Sequence, residues 1–488
     1  LKSFSPARIN ADLKLHARMD RRQLLSASIL LAGASSMPAP VAAATSSGAK
    51  RKKVYAHWHW FPTSFDNWPA DKDQYADYLS PDGTQGKLRA EGGFVRERPL
   101  PRPPRPEANW AVLDMIDEIK AAHHIGLDGF LFNMGGIDDG SPYMIHLRNM
   151  LEAAQQGPPG FEVILSIDTV ILVKTPVDAI ADAILKLARN SHVARQSDGR
   201  LILGAFSPEQ WDVGRWKELL QRLTSSGEKV FFYPTFLDVR RTIDFMELID
   251  GASMWGVDKL SDVPLLKKVG KLAKQAGKVW ASVVWPQDFR PHNRWFSECH
   301  NSELFRASWA AAMEIGSDAV NIATWNDYSE GSEIRPSTSI QYAFYDLAAF
   351  YIAWFKNGTM PPITEDVLYY FHRIESTEAA GTGSAQPFRF ATNLVSRFAD
   401  PPQNDIELLA FLKEPGELTI ATAKGSKSMK AKAGITSFRI PLVPGKVSFR
   451  LSRGDANVID LPSAFEIRET SAYQDLLYHG GSSSRPPV

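Results

Sequence analysis

The chain has 488 residues, with 55 Lys and Arg balancing 55 Asp and Glu, 44% hydrophobic and 23% charged. Such a composition is ordinary for a globular protein, and the length exceeds one small domain. A formal net charge of zero gives no support to nucleic acid or an anionic surface as a partner.

In chain order, an N-terminal extension leads into Met19-Asp20-Arg21-Arg22-Gln23-Leu24-Leu25. The paired arginines precede an apolar stretch over 24–34, and small residues follow, ending in Val41-Ala42-Ala43-Ala44. A basic region, a short apolar region and an A-x-A-like site predict a twin-arginine-like signal peptide within 1–44. The apolar run is too short to span a bilayer. The expectation is a periplasmic or secreted protein, with no membrane partner after signal cleavage, and a monomer. Cys299 is the single cysteine, so no disulfide can form within the chain.

Strand-length apolar runs then recur at 54–60, 129–133, 162–168, 201–206, 230–236, 252–257, 279–285 and 319–325. Helical patterns alternate with them at 110–124, 143–156, 176–190, 208–225, 239–249, 263–276, 302–316 and 340–356. Alternation of this kind predicts parallel βαβ units, and eight of them predict an α/β fold of the (β/α)8 TIM-barrel class over 54–375. A doubly wound open sheet is the alternative, but the glycine-rich phosphate loop usual after its first strand is missing. The long connection 61–108 ends in the proline-rich stretch 98–106, which reads as a stiff spacer over the barrel mouth. Residues 376–386 are rich in Gly, Ala, Ser and Thr and read as a linker. Short strand-like runs at 405–412, 416–422, 435–441, 446–451 and 457–460 predict a β-sandwich accessory domain over 387–479. The tail 480–488 reads as disordered.

In a barrel, chemistry sits where the strands end. Those ends carry His57, His59 and Trp60, then Asn133, Asp168, Tyr233 and Trp255. Trp285 and Asp288 follow, and the last strand ends in Trp325, Asn326, Asp327 and Glu330. Indole faces stack on the C–H faces of sugar rings, and carboxylates bind hydroxyls or move protons, so the predicted partner is a polysaccharide or oligosaccharide. Asp327 and Glu330 are the candidate catalytic pair. Cleavage of a glycosidic bond needs one carboxyl to protonate the leaving oxygen and another to activate water or attack the sugar. Their spacing in sequence permits either retention or inversion. Asp168, before Thr169, suits a turn cap as well as a substrate contact. Glu333 is either a third acid or a solvated loop residue. His57 and His59 share a strand face, but a third ligand at telling spacing is missing, so no metal and no cofactor are expected.

Thr324-Trp325-Asn326-Asp327-Tyr328-Ser329-Glu330 resembles the T-W-N-D-[FY]-G-E segment of glycoside hydrolase family 71, the endo-α-1,3-glucanases or mutanases. Val54-Tyr55-Ala56-His57, the stretch Ala122 to Asn133, and Leu165-Ser166-Ile167-Asp168 are similar to other segments of that family, in the same order. Phe232-Tyr233-Pro234-Thr235-Phe236 and Trp255-Gly256 have counterparts too. The resemblance implies a (β/α)8 barrel in a bacterial-type member, acting on α-1,3-glucan with inversion, Glu330 as acid and Asp327 as base. Ser329-Glu330-Gly331 departs from the family's G-E-S and looks more like the W-N-E-W-x-E-G segment of family 99, which implies an endo-α-mannosidase as the alternative. A barrel that binds glycan without cleaving it is the third reading.

Overall fold

The computed structural model describes residues 51–59, 67, 75–382, 385–392, 400–485 and 487. Eight strands close into a parallel barrel: β1 (Lys53–Trp58), β2 (Gly129–Met134), β3 (Glu162–Asp168), β4 (Leu201–Phe206), β5 (Val230–Phe236), β6 (Gly251–Met254), β7 (Val279–Val284) and β8 (Ala319–Ile322). Neighbours in sequence are neighbours in the ring, and β8 pairs with β1 from Lys53↔Ala319 to Ala56↔Ile322. These strands are buried on both faces, which is why they read as continuous apolar runs rather than alternating ones.

Helices α1 (Trp110–His124), α2 (Pro142–Gln156), α3 (Val177–Leu187), α4 (Val213–Ser225), α5 (Val263–Gln275), α6 (Glu303–Ile315) and α7 (Ala343–Asn357) form the outer ring. Each turns one stripe inward; in α1 the buried set includes Val112, Met115, Ile116, Ile119 and Ala122, at helical spacing. Asp212 starts α4 by accepting a hydrogen bond from the Arg215 N–H. The helix expected over 239–249 is instead a 3-10 segment, Val239–Phe245. Val239 and Phe245, six residues apart, are both buried while Ile243 is 76% exposed, which fits three residues per turn and not 3.6.

Two antiparallel sheets follow the barrel. The first contains β9 (Val367–Arg373), β11 (Asp405–Leu412), β14 (Gly434–Pro441) and β18 (Tyr478–Ser482), and the second β12 (Gly416–Thr422), β13 (Gly425–Ala431), β15 (Ser448–Arg453) and β16 (Ala456–Pro462). Strand β9 alternates between two cores. Leu368 and Tyr370 face the second sheet, while Tyr369 and Phe371 join the core of the barrel helices, with Phe371 5.3 Å from Phe344.

Three boundaries move. Residues 367–373, expected in the barrel, form the middle of the first antiparallel sheet. The expected linker contains a strand, β10 (Glu375–Gly381), that runs parallel to β17 (Arg468–Ser471). Its first residue is buried: Glu375 accepts from the Ser471 hydroxyl and the Asp475 N–H. The expected disordered tail contributes β18, where the glycines serve close packing. A Cβ on Gly480 would meet Ile340 Cδ1 at 2.8 Å, and one on Gly481 would meet the Tyr370 ring at 2.6 Å.

The proline-rich strap is bound to the barrel through α1. Arg105 Nε donates to Asp114 at 2.8 Å, and the Thr338 N–H donates to the Arg98 carbonyl at 3.0 Å. The expected signal peptide lies outside the described residues. Among the described residues no helix is long and apolar enough to cross a membrane.

Candidate active site

The chain leaves β8 at Ile322, passes a cis peptide between Ala323 and Thr324, and turns through the segment that carries the two candidate acids. The Thr324 N–H bonds the Ser332 carbonyl at 2.7 Å, and the Trp325 N–H bonds the His57 carbonyl at 2.9 Å, so both ends of the turn are held. Asp327 organises its interior. Its Oδ1 accepts from the Ser329 N–H at 3.0 Å, the Ser329 hydroxyl at 2.6 Å and the Glu330 N–H at 3.2 Å. This is the Asx-turn pattern of an aspartate bonding its own backbone two and three residues on. With Oδ1 committed as an acceptor, Oδ2 is left 3.9 Å from His59 Nε2.

Glu330 is held from another direction. After β7 the chain forms a small hairpin, Phe289–Arg290 against Trp295–Phe296, whose Phe289 N–H donates to the Glu330 carbonyl at 2.8 Å. From it, Arg290 Nη1 reaches Glu330 Oε1 at 2.7 Å. The rest of the guanidinium fork grips Asp288, Nε to Oδ1 at 2.7 Å and Nη2 to Oδ2 at 2.8 Å. Among the described residues Glu330 Oε2 has no hydrogen-bond partner. Burial pushes the Glu330 carboxyl well above its ordinary range; Arg290 pulls it down, and Asp327 and Asp288 push it up again. Asp288 is itself raised to about 6, first by burial. Asp288, its side chain 1% exposed, spends both carboxylate oxygens on Arg290.

The remaining candidates divide into those near the pair and those in the core. His59 lies beside Asp327 and is fixed by Asn326, whose Oδ1 accepts from the His59 N–H and whose Nδ2 donates to the His59 carbonyl, both at 2.9 Å. Asn326 is fully buried and clamps the barrel seam. Asp168 receives Asn133 Nδ2 at 2.8 Å and the N–H groups of Val170 and Ile171, both at 3.1 Å, which makes it a turn cap inside the cleft. Burial raises its pKa, against the pull of the hydrogen bonds from Ile171, Asn133 and Val170. His57, Trp255 and Trp285 stack edge to face in a row, with centroids 4.7 and 5.2 Å apart. Trp255 is partly exposed, whereas His57 and Trp285 are buried, and burial lowers the His57 pKa to about 3. Trp255 is therefore the member of that row with ring surface to offer a sugar.

Two candidates belong to the core. Tyr233 is inside the barrel, its hydroxyl donating to Asn321 Oδ1 at 2.9 Å. Trp325 is fully buried against Phe130, and its Nε1 donates to Glu118 at 2.8 Å. A tryptophan next to two catalytic candidates suggested a stacking platform, but the turn points its ring outward to the helices. Trp60 lies outside the described residues. Glu333, left between third acid and solvated loop residue, is fully buried with a pKa pushed well up, first by burial and then by Glu97. Among the described residues no group of three or more His, Cys, Asp or Glu is placed to hold a metal.

Sequence reasoning passed over Ser329 and Thr324 as partners of Asp327; the D-x-S-E spacing is itself an Asx-turn signature that could have found Ser329. Glu118, which holds Trp325 and Arg335, had no signal, since it comes from a helix two hundred residues upstream.

The Glycosyl hydrolase family 71 model matches residues 106–478. Glucan endo-1,3-alpha-glucosidase agn1 of Schizosaccharomyces pombe is 22% identical over 401 residues, 76% of this chain and 92% of that protein. Mutanase Pc12g07500 of Penicillium rubens is 23% identical over 404 residues, 77% of this chain and 86% of that protein. Among solved structures, the GH99 endo-alpha-mannosidase from Bacteroides thetaiotaomicron aligns with a TM-score of 0.45 at 15% identity, covering 52% of this chain and 82% of that one.

Proposed function

Because this chain belongs to glycosyl hydrolase family 71, and is therefore a glycoside hydrolase, we propose that it cleaves internal bonds of α-1,3-glucan with inversion, Glu330 acting as acid and Asp327 as base. The observation that carries the division of labour is the contrast between the two carboxyls. Burial raises the Glu330 carboxyl well above its ordinary range, and its Oε2 is unpartnered among the described residues, which suits a proton donor. Asp327 spends Oδ1 on its own turn and keeps Oδ2 for a water.

In the reaction, the Glu330 proton passes to the glycosidic oxygen as the bond from C1 to that oxygen breaks. A water on the opposite face of the sugar ring forms the new bond to C1 and gives a proton to Asp327. The α-linkage yields a β-anomer, and both carboxyls return to their starting states on exchange with solvent. His59 flanks the base, and Trp255 supports a ring of the chain by stacking.

The same reading includes export of a bacterial-type member, supported by the paired arginines and the small-residue stretch ahead of residue 45.

The test offers insoluble α-1,3-glucan and, in parallel, an α-mannan, and follows new reducing ends by anomer-resolved NMR. β-Anomer from the glucan is the expected product. Asp327→Asn and Glu330→Gln are each expected to lower turnover by at least a hundredfold with the fold intact. Cleavage of the mannan alone, or α-anomer as first product, or near-parental rates in both variants, would overturn the assignment.

A further inference from the structure

We propose that Asp288 and Arg290 are positioning residues that set the working state of the acid: Arg290 orients Glu330 through Oε1, and Asp288 occupies the rest of its guanidinium fork so that Glu330 retains its proton at rest. The inference rests on the reading of Glu330 as the acid.

The geometry is that of a cation shared unequally. Asp288 takes two parallel hydrogen bonds from Nε and Nη2, the strong bidentate form of the arginine–carboxylate pair. Glu330 takes one contact, from Nη1. An arginine whose charge is already compensated by one carboxylate has little left with which to ionise a second. Yet when Glu330 gives up its proton, the Nη1–H is already 2.7 Å from Oε1 to hold the new carboxylate. The clamp thus keeps the acid loaded and steadies it once discharged.

The clamp is enclosed by its hairpin. Asp288 is 1% exposed, and its carbonyl receives the Ser297 N–H at 2.9 Å across the hairpin. Arg290 lies 5.3 Å from the centre of the Trp295 ring. The other charged groups in view are Asp327 in the acid's own turn, His59 beside it, and His292 on the hairpin. Asp258, in the loop after β6, and Asp327 both push Asp288 up, after burial. His292 is lowered to about 4 by burial and stays neutral through the working range. Burial, and then Glu97, push the Glu333 carboxyl well above its ordinary range. Burial raises the Glu330 carboxyl most, Arg290 opposes it, and Asp327 and then Asp288 add to the rise.

Opposite effects on the pH profile distinguish this role from simple scaffolding. Glu330 must be protonated to act, so kcat/KM falls as pH rises through its titration. In Asp288→Asn the arginine is freed from its carboxylate and turns its charge on Glu330. The alkaline limb should then move to lower pH by about one unit, a roughly tenfold loss at a fixed alkaline pH with the acidic side nearly kept. In Arg290→Gln the limb should move to higher pH, with kcat reduced throughout. Both measurements use a soluble α-1,3-linked oligosaccharide, and a thermal melt of each variant verifies folding.

Glu330→Gln, run alongside, separates the two layers of argument. If its residual activity lacks the alkaline limb, the limb belongs to Glu330, and the clamp is then judged by the two shifts. Near-parental activity in Glu330→Gln would remove the acid assignment and the clamp with it. An unmoved limb in both clamp variants, or shifts in the same direction, would overturn the clamp while leaving the acid in place.

Discussion

Asn326→Asp changes one atom of the seam between β8 and β1. The residue is fully buried, and its amide makes a reciprocal pair with the His59 backbone. The aspartate keeps Oδ1 as acceptor for the His59 N–H but turns an oxygen toward the His59 carbonyl. As a carboxylate it loses one hydrogen bond and sets a charge against the half-buried His59 carbonyl, at a cost of about 1–3 kcal/mol. As a carboxylic acid its O–H can donate to that carbonyl much as the amide did, and the cost falls below about 1 kcal/mol. Burial and the facing carbonyl raise the folded-state pKa of the new carboxyl above an unfolded value of about 3.9. The sign follows from linkage. The folded state holds the proton to higher pH, so stability is lost as pH rises from the unfolded pKa through the folded one, and is constant above it. Urea unfolding followed by tryptophan fluorescence, variant against parent at pH 4 and pH 7, reads the difference directly. An equal deficit at both pH values, or none at pH 7, would refute the reasoning.

The network behind the site gives two more expectations. Trp325→Phe removes the indole donor to Glu118 and should cost about 1–3 kcal/mol in unfolding free energy, while KM for a soluble oligosaccharide is unchanged; a raised KM would return Trp325 to the substrate. Arg335→Met leaves Glu118, 3% exposed, without its cation and should cost about 3–5 kcal/mol by urea titration, with much of it recovered by adding Glu118→Gln.

The barrel was legible because strands buried on both faces read as unbroken apolar runs; β3 and β5 fall on the expected residues. The same property hid where β8 stops. Ala323 and Trp325 continue the apolar run and still bond Val284 of β7 and His57 of β1, but between them the Thr324 N–H turns to the Ser332 carbonyl and the regular ladder ends. Strand β13, GSKSMKA, went unread because it is a polar edge whose ladder to β12 is set by the partner and not by its own pattern. In the site, position and residue type together singled out Asp327 and Glu330. What the neighbours do was not legible, since it depends on where a side chain turns after its strand ends. Asp288 was expected on substrate and instead holds Arg290; Trp325 was expected in the cleft and instead faces α1.

The acid's turn is finished by residues made much later. Gly331, at φ +63°, follows Glu330, and a Cβ there would meet Leu477 at 2.5 Å. Leu476 and Leu477 pack with Phe289 and Phe296 of the clamp hairpin, and the Tyr478 N–H bonds Gln287 at 2.9 Å. On a ribosome adding about 5–20 residues per second, Leu477 is added roughly 7–30 s after Gly331. Until then the nascent barrel has both carboxyls but lacks the support that fixes one against the other. A copy interrupted ahead of Leu476 would therefore carry the Glu330 turn without the side chains it packs on, so the order of synthesis makes the segment around Leu477 the last support this turn receives.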